Sequence, residues 1–142
     1  MLVRLLYASR AAASTDDDAL AAIVKQAQAN NHRLGVTGVL CFADGVFMQA
    51  LEGGRSTVSA LYHRIAQDKR HSDVVLLSYE EIAERRFAGW AMGQANLSRL
   101  NPALLLKYSE RAVLDPFSVP GEASMALLDE LIATAQIIGR AG

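Results

Sequence analysis

Val36-Thr37-Gly38-Val39-Leu40-Cys41-Phe42-Ala43-Asp44-Gly45-Val46-Phe47-Met48-Gln49-Ala50-Leu51 reads as two apolar runs around one turn signal. Asp44-Gly45 supplies the positive φ that a tight hairpin turn requires. Val36 to Phe42 and Val46 to Leu51 are therefore predicted to pair as antiparallel strands, with Gly53-Gly54 breaking the second. Side chains alternate along a strand, so Phe47, Gln49 and Leu51 share a face. Gln49 is thus a polar residue flanked by apolar neighbours. It reads either as an outward-facing side chain on an edge strand or as part of a ligand-binding floor.

Outward from the hairpin, Leu2 to Ser9 is a strand candidate with Val3, Leu5, Tyr7 and Ser9 on one face. Ser14-Thr15-Asp16-Asp17-Asp18 offers caps and negative charge for a helix start. The helix is predicted from about Asp16 to Asn30, with an apolar stripe of Leu20, Ile23, Val24 and Ala27. A second helix, near Ser56 to Asp68, turns Val58, Leu61, Tyr62 and Ile65 inward. Asp73 to Tyr79 follows as a strand, and Trp90 to Ala95 as a short fifth one. The order matches a ferredoxin-like split unit plus one strand. The predicted class is α+β: two helices on one face of the sheet, and C-terminal helices over the other. Those last helices start at Asn101-Pro102, with Leu104, Leu105 and Tyr108, and resume from Glu122 to Ile138 after a loop marked by Asp115-Pro116 and Pro120-Gly121. The later one carries Leu127, Leu128, Leu131, Ile132, Ala135 and Ile138. Residues 1–95 form one unit on this reading, and residues 96–142 a helical extension.

A chain of 142 residues with 51% hydrophobic content fits one domain with a real core. Fifteen acidic residues against 14 basic ones give a net charge of −1, which excludes a basic footprint for nucleic acid or an anionic membrane. Cys41 is the single cysteine, so no internal disulfide forms. No apolar run reaches the roughly 18 residues of a spanning helix, and the N-terminus lacks a signal-peptide pattern. A soluble, cytoplasmic protein is the expectation.

The informative positions are polar side chains on apolar faces. The first helix's stripe continues to Asn31, with Asn30 beside it. Asn31 reads either as a helix C-terminal cap or as a buried amide needing partners for donor and acceptor. On the second helix, Arg64 and Asp68 extend the inward stripe and His71 lies near its end. They read either as a surface ion pair or as the lining of a slot between the helices. Tyr7 is a core tyrosine or part of that slot. Trp90 and Met92 share a face by alternation. Neither His32, His63 and His71 nor Cys41 has metal-ligand spacing, and no nucleophilic triad or phosphate loop stands out.

Taken in order, these stretches resemble the BLUF family of blue-light sensors that use FAD. They are Leu6-Tyr7-Ala8-Ser9, Asn30 through Leu40, Gly45 through Gly53, Asp68-Lys69-Arg70-His71 and Arg85 through Met92. The resemblance covers about residues 1 to 95. It implies a flavin ring held between the two helices, contacted by Tyr7, Asn30, Asn31, Gln49, Arg64, Asp68 and His71. It implies that Tyr7 is the light-step electron and proton donor and that Gln49 is the switch bridging Tyr7 to the ring. Asn31 bonds the ring's carbonyl edge, and Asn30 is a ring contact. Arg64 lies near the pyrimidine end, with Asp68 and His71 toward the ribityl side. Trp90 and Met92 transmit the signal. No enzymatic role is expected. The expected partners are FAD, further copies of the chain (a dimer or larger) and a separate downstream effector. Three other readings compete: a ferredoxin-like acyl-phosphate hydrolase using Arg64 and Asn31, an RNA-binding sheet, and a pure dimerisation module that binds no flavin.

Overall fold

The computed structural model describes residues 1–96 and 102–134. Strand β1 (Leu2–Ala11) leads to helix α1 (Asp17–Leu34), then to the hairpin β2 (Thr37–Ala43) and β3 (Val46–Gly54). Helix α2 (Arg55–Ala66), strand β4 (His71–Ile82), strand β5 (Gly93–Asn96) and helices α3 (Pro102–Leu106) and α4 (Gly121–Ala133) complete it. The sheet order is β4-β1-β3-β2-β5. The first four strands pair antiparallel in the ferredoxin-like arrangement, and β5 adds parallel to β2.

The hairpin turns at Asp44 and Gly45, both at positive φ, as the Asp-Gly signal requires. Asp16 caps α1 by accepting from the Ala19 N–H at 2.8 Å. The helix runs past Asn30 to Leu34 and ends on Gly35 at φ 70. A left-handed C-cap favours glycine, so the true stop signal is Gly35 and not the Asn pair.

Strand alternation sorts the core into two layers. Val3, Leu5, Tyr7, Leu40, Phe47 and Leu51 face α1 and α2 together with Leu20, Val24 and Val58. Leu6, Val39, Cys41, Met48 and Ala50 face the C-terminal helices through Leu105, Leu127, Leu128 and Leu131. The expected cover for the second face is therefore present. Asn101, Ala135 and Ile138 lie outside the described residues. No helix of the described residues is long and apolar enough to cross a membrane.

Two expectations need correction. The segment Trp90–Met92 is not strand: Trp90 N–H closes a turn on the Phe87 carbonyl at 3.0 Å, and β5 begins only at Gly93. Strand alternation therefore does not govern it, and Trp90 and Met92 fall on opposite layers, Trp90 with the C-terminal helices and Met92 with α1 and α2. Likewise, β3 is no edge strand, since it lies between β1 and β2.

Backbone packing is tightest at Gly38, where an added Cβ would lie 2.0 Å from the Ala50 carbonyl oxygen. Backbone cannot yield as a side-chain tip can. Gly38→Ala is expected to lower stability by about 3 kcal/mol, at the upper end for overpacking. Chemical denaturation measures it, and an unchanged midpoint would refute the close approach.

Candidate functional site

A cleft of about 240 Å³ opens between α1 and α2 over the sheet. Leu40, Phe47 and Leu51 give it an apolar floor, and Ile23, Ala27, Leu61 and Ile65 give it apolar walls. Tyr7, Asn30, Asn31, Gln49, Arg64, Asp68 and His71 all line it. Strand, helix and loop thus bring together every residue that the sequence reading assigns to ligand contact. Trp90 and Met92 do not line it.

Register places the central pair. Tyr7 on β1 is directly opposite Gln49 on β3. Both are buried, at 3% and 5% exposure. The Tyr7 hydroxyl donates to Gln49 Oε1. The other end of the amide, Gln49 Nε2, donates to the Met92 sulfur at 3.3 Å. An amide oriented this way has its acceptor on the phenol and its donor on the thioether. Burial raises the Tyr7 pKa well above the ordinary tyrosine value, with smaller contributions from Tyr62 and Asp68. The phenol is a donor at neutral pH, as an ordinary tyrosine is, and burial extends that further into the alkaline range. The Tyr62 ring tilts against it with centroids 5.6 Å apart.

Asn31 is buried on the last turns of α1, and its Nδ2 donates to the Ala91 carbonyl at 2.9 Å. It is a buried amide rather than a cap. Its Oδ1 and second amide hydrogen are the groups it can offer to the cleft. Asn30 lies half-buried beside it.

The surface ion pair of Arg64 with Asp68 does not form along a helix, because α2 ends at Ala66. Asp68 instead takes a forked contact from the Arg70 guanidinium, at 2.6 Å and 3.0 Å. That hydrogen bond, above all, holds the Asp68 carboxyl below its usual range. Arg64 stays exposed at the cleft rim. His71 Nδ1 meets the Ser9 hydroxyl at 2.7 Å, and Nε2 meets the Ile65 carbonyl. A carbonyl only accepts, so in the neutral ring Nε2 carries the proton and Nδ1 accepts from Ser9. The His71 ring lines the cleft with both nitrogens already engaged.

Several contributors are not among the site residues predicted from the sequence. Gln28 Nε2 donates to the Met92 carbonyl at 3.1 Å. Arg70 lines the rim. Glu52, fully buried, accepts from Arg4 and from the Arg86 and Phe87 N–H groups. Cys41 is a buried thiol pushed up to about 12 by burial, which leaves it unreactive. Among the described residues no group of His, Cys, Asp and Glu could hold a metal ion.

Known proteins share this architecture. The structure described as "BlsA photo-activated state" superposes with a TM-score of 0.84 at 31% identity, over 93% of this chain and 95% of that one. "BlrB - a BLUF protein, dark state structure" gives a TM-score of 0.79 at 30% identity, over 94% and 96%. Photoactivated adenylate cyclase subunit alpha of Euglena gracilis is 43% identical over 84 residues, which are 59% of this chain and 8% of that protein. Photoactivated adenylate cyclase subunit beta of Euglena longa is 38% identical over 95 residues, 66% of this chain and 11% of that protein. The chain thus spans about a tenth of the length of these curated relatives. Residues 2–93 match the family described as "BLUF: Sensors of blue-light using FAD", and by that match the chain is a member of the BLUF family.

Proposed function

We propose that this chain senses blue light through FAD held between α1 and α2, that Tyr7 and Gln49 form its switch, and that Trp90 and Met92 carry the change to the C-terminal helices. One observation carries the reading. Tyr7, Gln49 and Met92 form a single hydrogen-bonded chain that runs from the cleft lining to Met92 outside it, with a reversible amide in its middle.

The residues present fit FAD. A flat ring needs apolar contact on its faces, which Leu40, Phe47 and Leu51 offer, with Ile23 and Ile65 above. The edge of a flavin ring alternates acceptors and a donor, and the amides of Asn30, Asn31 and Gln49 supply both kinds of partner. Arg64 at the rim can donate to the pyrimidine end of the ring, and Arg70 suits the diphosphate. Asp68 holds Arg70, and His71 fixes the start of β4 against Ser9 and the end of α2.

Bound FAD supplies blue-light absorption and an excited-state electron acceptor. Tyr7 gives up an electron and, as its acidity rises on oxidation, its hydroxyl proton. Gln49 Oε1 already accepts that hydroxyl and is the proton's first stop. Turning the amide over exchanges the end on Tyr7 with the end on Met92, whereas shifting its tautomer leaves both atoms in place and makes the oxygen a donor. The resting arrangement has Gln49 Nε2 on the Met92 sulfur. Losing that bond frees Met92, and with it the segment leading into β5.

Residues 1–95 act as the light-sensing unit and residues 96–142 as the output surface, toward an effector protein or further copies of the chain. Purified protein is expected to be yellow, with a flavin band that moves reversibly to longer wavelength under blue light. Absorption spectroscopy checks it, and colourless protein that takes up no added FAD would sink the proposal.

A further inference from the structure

Three consecutive carbonyls on the segment before β5 are each held by a separate donor. The Trp90 carbonyl accepts from the Gly38 N–H at 2.9 Å. The Ala91 carbonyl accepts from Asn31 Nδ2 at 2.9 Å, and the Met92 carbonyl from Gln28 Nε2 at 3.1 Å. The segment has not yet entered the sheet as a strand, so these bonds hold it as a ladder would. The turn at Trp90 and the pairing of Gly93 with Val39 flank the segment, and these bonds fix the backbone between them.

Gln28 and Asn31 stand one turn apart on α1, on the same stripe as Leu20 and Val24. Their surroundings differ. Asn31 lines the cleft, so its amide serves both the cleft and the segment. Gln28 is half-buried and does not line the cleft. Its hydrogen bond ends on the residue whose sulfur accepts from Gln49.

We infer that Gln28 is a positioning residue of the switch. By donating to the Met92 carbonyl it holds the Met92 sulfur against Gln49 Nε2, and so favours the resting orientation of the amide. The inference rests on the proposed Tyr7–Gln49 switch. Gln28 acts through Met92 and touches neither the amide nor the cleft. A neutral amide suits this role because it reaches the carbonyl as a donor, whereas an ionised carboxylate at this position could only accept.

The test uses full-length, FAD-loaded protein with carbon-13 labelled methionine methyls. The chain has four methionines, and Met92→Leu assigns the Met92 signal. Gln28→Leu keeps bulk and removes the donor; Gln28→Lys keeps a long donor. In the dark, Gln28→Leu is expected to move the Met92 methyl resonance. Its recovery after a light pulse is expected to slow by about fivefold, the equivalent of one ordinary hydrogen bond favouring the resting state. Gln28→Lys is expected to restore both. An unmoved Met92 methyl overturns the inference, as does recovery that is unchanged or faster in Gln28→Leu. A Gln28→Lys protein that behaves like Gln28→Leu attributes the effect to packing and also overturns it. Wild-type protein without flavin or without a red shift would instead refute the parent reading, and the dark Met92 methyl signal would then decide the clamp alone.

Discussion

A Gln49→Leu protein is expected to stay yellow and to lose its light-induced red shift. Leucine fills the amide's space beside Leu40 and Tyr7, so the apolar floor of the cleft survives. It has neither end of the amide. The Tyr7 hydroxyl loses its acceptor and the Met92 sulfur its donor. A buried hydroxyl without a partner costs about 1–3 kcal/mol, so some loss of stability should accompany the spectral change. Tyr7→Phe approaches the same chain from the other end. It removes the donor and leaves Gln49 Oε1 without its phenol, and it too should retain flavin without the normal shift. The phenol is protonated, so it can deliver a proton as it gives up an electron, whereas a phenolate has none to give. Light-minus-dark spectra of both variants, at matched flavin occupancy, check the claim. A full shift in either one would remove that residue from the switch.

The second large effect is expected at Arg4→Leu, as a loss of about 3–5 kcal/mol. Arg4 and Glu52 face each other across β1 and β3, at 4% and 0% exposure, with guanidinium and carboxylate 2.8 Å apart. Arg4 also reaches Glu80 on β4 at 2.7 Å. Removing Arg4 strands the Glu52 carboxylate in the core with only the Arg86 and Phe87 N–H groups for company. Stranding one partner of a buried pair costs far more than the intact pair contributes. Glu52→Gln should be milder, since the amide stays neutral, its oxygen still accepts, and Arg4 keeps Glu80. Urea denaturation of the three proteins orders them: wild type, then Glu52→Gln, then Arg4→Leu. Equal midpoints for wild type and Arg4→Leu would mean that water reaches Glu52.

Much of this fold is open to reading in one dimension. The Asp-Gly turn, the helix start offered by Ser14 to Asp18 and the alternation of Phe47, Gln49 and Leu51 are local, and each has its predicted place, with Asp16 the residue that caps. Helix ends are less legible. Asn30 and Asn31 look like a terminus because asparagine tolerates a C-cap, but Gly35 outcompetes it by adopting positive φ without strain. Extending strand alternation through Trp90 and Met92 puts both on one face, whereas a turn separates them onto two layers.

The sequence by itself determined the elements and their order, the two apolar layers of the hairpin, and the polar residues set among them, because periodicity and turn chemistry act within a few residues. Only the tertiary structure decided that Arg4 meets Glu52 and that Gln28 and Asn31 grip the segment carrying Met92, and it supplies the register behind the Tyr7–Gln49 contact that the family resemblance implies. Those pairings depend on strand register and on where a helix crosses a sheet. Both are set by packing between segments dozens of residues apart, so no local pattern records them.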